Sequence, residues 1–213
     1  MRLLFAWCLG LFMLISCKAQ NSAQGGAKYG ANKPGNSNAV FDGTWKSQCK
    51  SDTSSDGSAT SQQTIYTNKG ELQTGFVYEY NDATCSQLMM TVKTLCKVEK
   101  GEPFTPIQGA VKVTSTLTDI QVSFSSGDYV KLANERQYYG YNNWVANVPK
   151  NVSGKKFTAD SADADTVTVG RKYYDIAKVI GQRLHAGDDA TGDAQSEATR
   201  PTALDMKEFD TKQ

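Results

Sequence analysis

Histidine is nearly absent: the 213-residue chain has one, His185. A metal centre built on several imidazoles is thereby excluded, and any Ser-His or Cys-His catalysis has to use that one residue. Charge of one sign is missing too. Twenty-three basic side chains face 22 acidic ones, a formal net charge of +1. This argues against nucleic acid as a partner, because its binders carry a basic excess on one face. No apolar run reaches the roughly 20 residues that a spanning helix needs. There is no CxxC, no phosphate-cradling glycine loop before a helix and no nucleophile elbow. No cofactor is expected, and the chain reads as non-enzymatic.

What is present begins with an address. Arg2 precedes an uncharged, mostly apolar run of fourteen residues, Leu3 to Ser16, the length of a signal h-region rather than of an anchor. It ends Leu14-Ile15-Ser16-Cys17, which looks like a bacterial lipobox. The resemblance implies a signal peptide over residues 1–16 and cleavage just before Cys17. It also implies a diacylglyceryl thioether on that thiol and an acylated amine. Three acyl chains exceed the two signals that stable membrane attachment takes. Membrane lipid is then a partner through Cys17. Lys18, where inner-membrane retention would place Asp, favours the outer membrane of a Gram-negative envelope. Loss of Arg2 leaves 22 basic residues against 22 acidic, so attachment is expected to rest on lipid rather than charge.

Residues 17–40 read as a lipidated flexible tether. Small and amide side chains dominate, and only Tyr29 and Val40 offer apolar bulk. Its reach is roughly 25 Å. Residues 41–213 suffice for one core.

Period-two alternation recurs through this domain. Leu72, Thr74, Phe76, Tyr78 and Tyr80 share one strand face; Gln73, Gly75, Val77 and Glu79 share the other. Val111, Val113, Ser115 and Leu117, then Ile120, Val122 and Phe124, continue the pattern. Thr166–Val169, Lys172–Val179 and Arg183–His185 also read as strands, the last two joined by a turn at Gly181. Further turn signals fall at Asp82, Ser126–Asp128, Gly154 and Gly187-Asp188. The expected fold is all-β, a single antiparallel up-and-down barrel of about eight or more strands, with a β-sandwich as the alternative. A short C-terminal helical turn is expected at Pro201–Asp205, where Thr202 is placed to cap.

The domain opens Phe41-Asp42-Gly43-Thr44-Trp45-Lys46-Ser47. Gly43 and Trp45 form a Gly-x-Trp that resembles the calycin group: lipocalins, fatty-acid-binding proteins and avidin-like barrels. The resemblance implies a tryptophan packed across one barrel end. The Gly-Thr-Trp-Lys-Ser-x-Cys start, the Tyr173-Tyr174-Asp175-Ile176 stretch and the Arg200–Asp205 tail resemble a set of uncharacterised bacterial envelope lipoproteins. That resemblance implies no activity.

Five cysteines are an odd count. Cys8 leaves with the signal and Cys17 is taken by lipid. Cys49, Cys85 and Cys96 stay in an oxidising compartment, with three possible pairings. Strand-end positions favour a Cys49–Cys85 bridge, with Cys96 as a buried leftover thiol. A sharper alternative makes Cys96 a nucleophile served by His185.

Three constellations qualify as functional. Phe76, Tyr78, Tyr80, Ile120, Val122 and Phe124 are expected to line the barrel interior, either as a solid core or around one apolar ligand. Tyr138, Tyr139, Tyr141 and Trp144 lie among amides in a long connection. They serve either glycan or protein recognition or the capping of a barrel end. Asp160, Asp163 and Asp165, and again Asp188, Asp189, Asp193 and Glu197, lack the ligand spacing of a calcium loop, so no metal is expected. The expected function is an outer-membrane lipoprotein whose lipocalin-like barrel binds or shields a small apolar ligand. The alternative is an envelope interaction module that uses the aromatic loop on glycan or protein.

Overall fold

A computed structural model describes residues 41–53, 57–159 and 166–213. The expected signal peptide (1–16), Cys17 and the expected tether (17–40) lie outside the described residues, as do Asp160, Asp163 and Asp165.

Ten strands form among the described residues: β1 (Gly43–Ser47), β2 (Lys50–Thr53), β3 (Ala59–Lys69), β4 (Leu72–Tyr80), β5 (Leu88–Pro103), β6 (Val111–Phe124), β7 (Lys150–Asn151), β8 (Lys172–Ile180), β9 (Arg183–Ala186) and β10 (Asp210–Lys212). Eight of them, in the order β1-β3-β4-β5-β6-β8-β9-β10, close an antiparallel up-and-down barrel of lipocalin-like type. β2 continues the line of β1 along β3, and β7 pairs with the far end of β6. Closure removes the free edges that a sandwich would leave.

The closing strand is β1. It pairs with β3 through Trp45↔Tyr66 and with β10 through Trp45↔Lys212. Trp45 is 1% exposed and donates Nε1 to the Phe41 carbonyl at 3.0 Å. Tyr66 sends its hydroxyl to Asp210 Oδ2 at 2.8 Å, which ties β3 to β10 across β1. Gly43 has φ +130°, and an added Cβ there would meet Lys212 Cε at 3.0 Å. The Gly-x-Trp spacing thus marks both a backbone constraint and the residue that fills the seam.

β8, β9 and β10 span only one half of the barrel, since β6 meets β8 over Val111–Thr116 and β7 over Gln121–Val122. The remaining half is walled by helix α1 (Gly127–Glu135), the connection that follows it and the 187–209 segment. α1 was not expected; Ser126–Asp128 reads as a turn but starts a helix. Nine largely polar residues, with only Ala133 buried, leave too narrow an apolar stripe to register as helical periodicity. The expected turn of helix at Pro201–Asp205 does not form. Thr166–Val169 is not a ladder strand either, although Val167 O accepts from Gly154 N at 2.8 Å.

Arg200 replaces that helical turn as the organiser of the C-terminal segment. Its guanidinium donates to the carbonyls of Val113 (2.6 Å) and Asp175, and it pairs with Glu197. Asp175 Oδ1 accepts from Gly187 N at 3.0 Å. A Cβ on Gly187 would fall 2.4 Å from that oxygen and 2.5 Å from Pro201, so glycine permits this close approach.

Cys49 and Cys85 are bridged, with Cα atoms 6.0 Å apart and a sequence separation of 36. The bond joins the break between β1 and β2 to the β4–β5 connection. Loop-closure entropy assigns it about 4 kcal/mol. Replacing both cysteines by alanine should lower the unfolding free energy in urea by roughly 2–4 kcal/mol. An unchanged midpoint under oxidising conditions would show that the bridge is not a stabilising element.

Candidate functional site

Alternation puts one side chain in two inside the barrel. On β4 the inner set is Gln73, Gly75, Val77 and Glu79, all buried. Phe76, Tyr78 and Tyr80, expected to line the interior, therefore stand on the outer face, where Phe76 and Tyr78 stack at 6.1 Å. The cause is register. Tyr66 faces Gly75 across the β3–β4 ladder and Trp45 across the β1–β3 ladder, so the space beside these rings admits glycine, not another aromatic. Ile120, Val122 and Phe124 do face inward, each at most 3% exposed. They lie opposite Thr94, Val92 and Met90.

The inner surface is of mixed polarity. Thr64, Asn68, Gln73, Glu79, Thr94 and Ser115 are buried among Val77, Val92, Leu117 and Ile120. Glu79 is the extreme case. It is 7% exposed and faces Met90 on one side and Gln62 on the other. It has no hydrogen-bond partner among the described residues. Burial alone lifts its carboxyl from 4.5 to about 8, so it holds its proton at neutral pH. Tyr139, beneath the same barrel end, is pushed up by burial first and by its proximity to Glu79 second.

That end is closed by an aromatic plug. Phe124 meets Trp144 edge-on at 4.9 Å, and Tyr138 stacks on Phe157 at 4.1 Å. Tyr139 meets Phe157 edge-on at 5.3 Å. Asn134 of α1 fixes the plug by accepting from Trp144 N at 2.6 Å and donating to Trp144 O at 3.2 Å. Gln137 and Tyr139 hold left-handed backbone, φ 51° and 55°. Such a conformation costs about 1–3 kcal/mol per residue and persists where packing over-determines it. Of the proposed recognition residues, Tyr138, Tyr139 and Trp144 are thus buried and turned inward, while Tyr141 is half-buried beneath Lys155 at 4.6 Å. The loop caps the barrel and does not offer a row of exposed rings.

The remaining acids and thiols have structural partners. Asp188 accepts from Ala190 N, Asp193 from Gln195 N, and Glu197 is held by Arg200 and Lys112. Cys96 is buried on the inner face of β5, 1% exposed. His185 lies on the opposite side of its strand from the inward Leu184. Its Nδ1 is 2.9 Å from the Asp205 carbonyl, and its ring packs on Phe209. Cys96 and His185 are not brought together.

Between β2–β3 and the 205–210 segment the seam gapes into a cleft of about 40 Å³. Gln62, Thr64 and Leu184 form its floor, with Lys50, Asp205 and Glu208 at its mouth. Sequence reasoning missed Gln62 and Glu79. The one available signal was a glutamate in the more polar of two alternating sets on β4, and aromatic bulk on the other set outweighed it. No known family's sequence profile matches the chain, and no curated protein matches it in sequence.

Glu79 makes stability depend on pH. Its carboxyl is raised in the folded state, so between about 4.5 and 8 the folded chain binds more protons than the unfolded one. The contribution is complete below the unfolded value and is lost as pH rises through about 8. Stability should therefore fall from pH 5 to pH 8 by a term on the order of 4 kcal/mol. Glu79→Gln should flatten this slope and be the more stable form at pH 8. Parallel urea curves at both pH values for the two proteins would refute the burial of an uncompensated carboxyl.

Proposed function

We propose that the chain is a lipid-anchored lipoprotein of the bacterial outer membrane, non-enzymatic, whose lipocalin-like barrel binds or shields a small, largely apolar molecule at the cell envelope. The observation that carries the ligand part is the mixed polarity of the barrel interior. Buried Glu79 and Thr94 stand among Val77, Val92 and Ile120 on a lining that a purely structural core would make apolar. Small ligand sites combine an apolar wall with a few placed polar groups in this way.

The envelope part is supported by the Leu14–Cys17 lipobox and by the Cys49–Cys85 bridge, a bond favoured in oxidising compartments. The uncharacterised envelope lipoproteins and the calycin group that the sequence resembles agree with both. Glycan recognition through the Tyr138–Trp144 loop loses support, because its rings are committed to the plug.

Two measurements test the proposal separately. Cys17→Ala should abolish globomycin-sensitive processing and move the protein from the membrane to the soluble fraction; unchanged processing would overturn the lipoprotein reading. Native mass spectrometry of the processed protein, purified from envelopes, should show a small molecule bound in roughly stoichiometric amount. A bare protein mass would overturn the carrier reading.

A further inference from the structure

The outer wall of β4 carries a row of large apolar side chains that the barrel leaves in contact with solvent. Leu72, Phe76, Tyr78 and Tyr80 share this face with Thr74, at every second position. Leu72 is 67% exposed, the highest value among the large hydrophobic side chains of the described residues. Phe76, Tyr78 and Tyr80 are half-buried, and Phe76 stacks on Tyr78 at 6.1 Å. Ile65 of β3 stands beside Phe76 and widens the row. From Leu72 to Tyr80 the row is roughly 27 Å long. Other outer walls differ. β6 presents Lys112, Thr114, Thr116 and Thr118. On β8, Arg200 lies 5.5 Å over the Tyr174 ring and Ile176 is fully buried.

Lysines frame the row. Lys69 and Lys97 flank Leu72 on the two ladders, and Lys93 faces Phe76. Lys97 is answered by Glu71 and Glu99. Lys69 and Lys93 are in no ion pair among the described residues. Aromatic rings and lysine stems on one surface suit a phospholipid interface, with the rings at headgroup level and the ammonium groups on phosphates. A protein partner would select against the lysines, which are depleted in protein interfaces. β4 is hydrogen-bonded on both sides, so no strand can add to it.

The chain enters the barrel at one end of this row. Asp42 Oδ1 accepts from Gly70 N at 3.0 Å, in the β3–β4 turn just before Leu72. Lys100 Nζ lies 4.5 Å over the Phe41 ring at the same end. Residues 18–40, 23 in number, separate Phe41 from Cys17. A coil of that length averages roughly 25 Å end to end. An anchor at Cys17 therefore holds the Leu72 end of the wall close to the bilayer. Tethering of this kind raises the effective concentration to the millimolar range. A contact too weak to recruit a free protein then becomes occupied.

We propose that the outer wall of β4 is a bilayer-contact face. The barrel lies on its side against an anionic phospholipid surface, with Leu72 in the boundary between headgroups and acyl chains. Phe76, Tyr78 and Tyr80 lie at headgroup level, and Lys69 and Lys93 meet lipid phosphates. The inference rests on the lipoprotein reading, because lipid at Cys17 brings the surface within reach, and it adds which side of the barrel meets that surface.

The test uses the full chain purified in detergent, its acylation read by intact mass. It is reconstituted into vesicles of phosphatidylethanolamine and phosphatidylglycerol, with and without brominated acyl chains. Tyr78→Trp puts a fluorescent reporter on the β4 wall, and Lys178→Trp puts one on β8. After subtraction of the parent emission, bromine should quench the Tyr78→Trp reporter at least about threefold more than the Lys178→Trp reporter. Adding Leu72→Asp and Lys93→Glu to Tyr78→Trp should reduce its quenching by about half or more. Equal quenching at the two sites, or quenching undiminished by the two charge changes, in acylated chains with native circular dichroism, would overturn the contact face and leave the lipoprotein reading standing. A dimer on the vesicles that shields Tyr78→Trp from bromine would overturn it in favour of a second copy. A chain with no acyl mass that does not float with vesicles would bring down both. Selective quenching without acyl mass would uphold the face and remove the anchor.

Discussion

The pairing of β1 with two strands at once is what the rest of the molecule depends on. Five residues, Gly43–Ser47, bond to β3 on one side and to the three-residue β10 on the other. Without that contact the sheet is open, with free edges at β2–β3 and β10. The contact is built around Trp45, whose indole nitrogen is satisfied by Phe41 O and whose face lies 5.5 Å from Lys212 Nζ. Burial of a tryptophan contributes on the order of 3–5 kcal/mol, comparable to the disulfide that anchors the neighbouring β1–β2 break. Both hold the same end of the chain to the same sheet.

Closure through so short a contact has a geometric consequence. β10 pairs with Trp45–Ser47, Gln213 N adds one bond to Thr44 O, and β2 has β3 as its only ladder partner among the described residues. One half of the wall must therefore come from non-strand segments. Two devices supply it. The 187–205 segment is pinned across β6 and β8 by Arg200, whose charge is answered by Glu197 and by backbone carbonyls. The 138–157 connection folds its rings inward against Phe124. Each puts residues that look functional to structural use: an arginine at the head of the Arg200–Asp205 tail, and four aromatics among amides. The cleft lies beyond the first of these, between β2–β3 and the 205–210 segment.

Strand positions were legible because alternation is a property of the backbone pleat and survives changes of side-chain chemistry. β4, β6, β8 and β9 fall within a residue or two of where alternation places them, and the Cys49–Cys85 bridge follows from strand-end positions. Which face turns inward was not legible on β4. Hydrophobicity decides the inner face only when the inside is apolar throughout, and here it is not. Aromatic side chains suit a half-exposed sheet surface, so Phe76, Tyr78 and Tyr80 carry no directional information. The deciding fact, that Tyr66 and Trp45 already occupy the space over Gly75, is a tertiary one. Helix α1 escaped for a related reason: with one buried residue it owes its stability to Asn134 and the plug rather than to its own pattern.

A buried glutamate without a partner is the opposite of what stability alone would retain. Valine or methionine at position 79 would pack against Met90 and remove the desolvation cost. The same face carries Gln62, directly opposite across the β3–β4 ladder. Ile120, Val122 and Phe124, by contrast, form an apolar row on β6 against the plug. Polarity inside this barrel is thus not scattered. It runs along the paired inner faces of β3 and β4, through Gln62, Thr64, Asn68, Gln73 and Glu79. A row of inward polar groups on two adjacent strands is what distinguishes a lining from a purely apolar core.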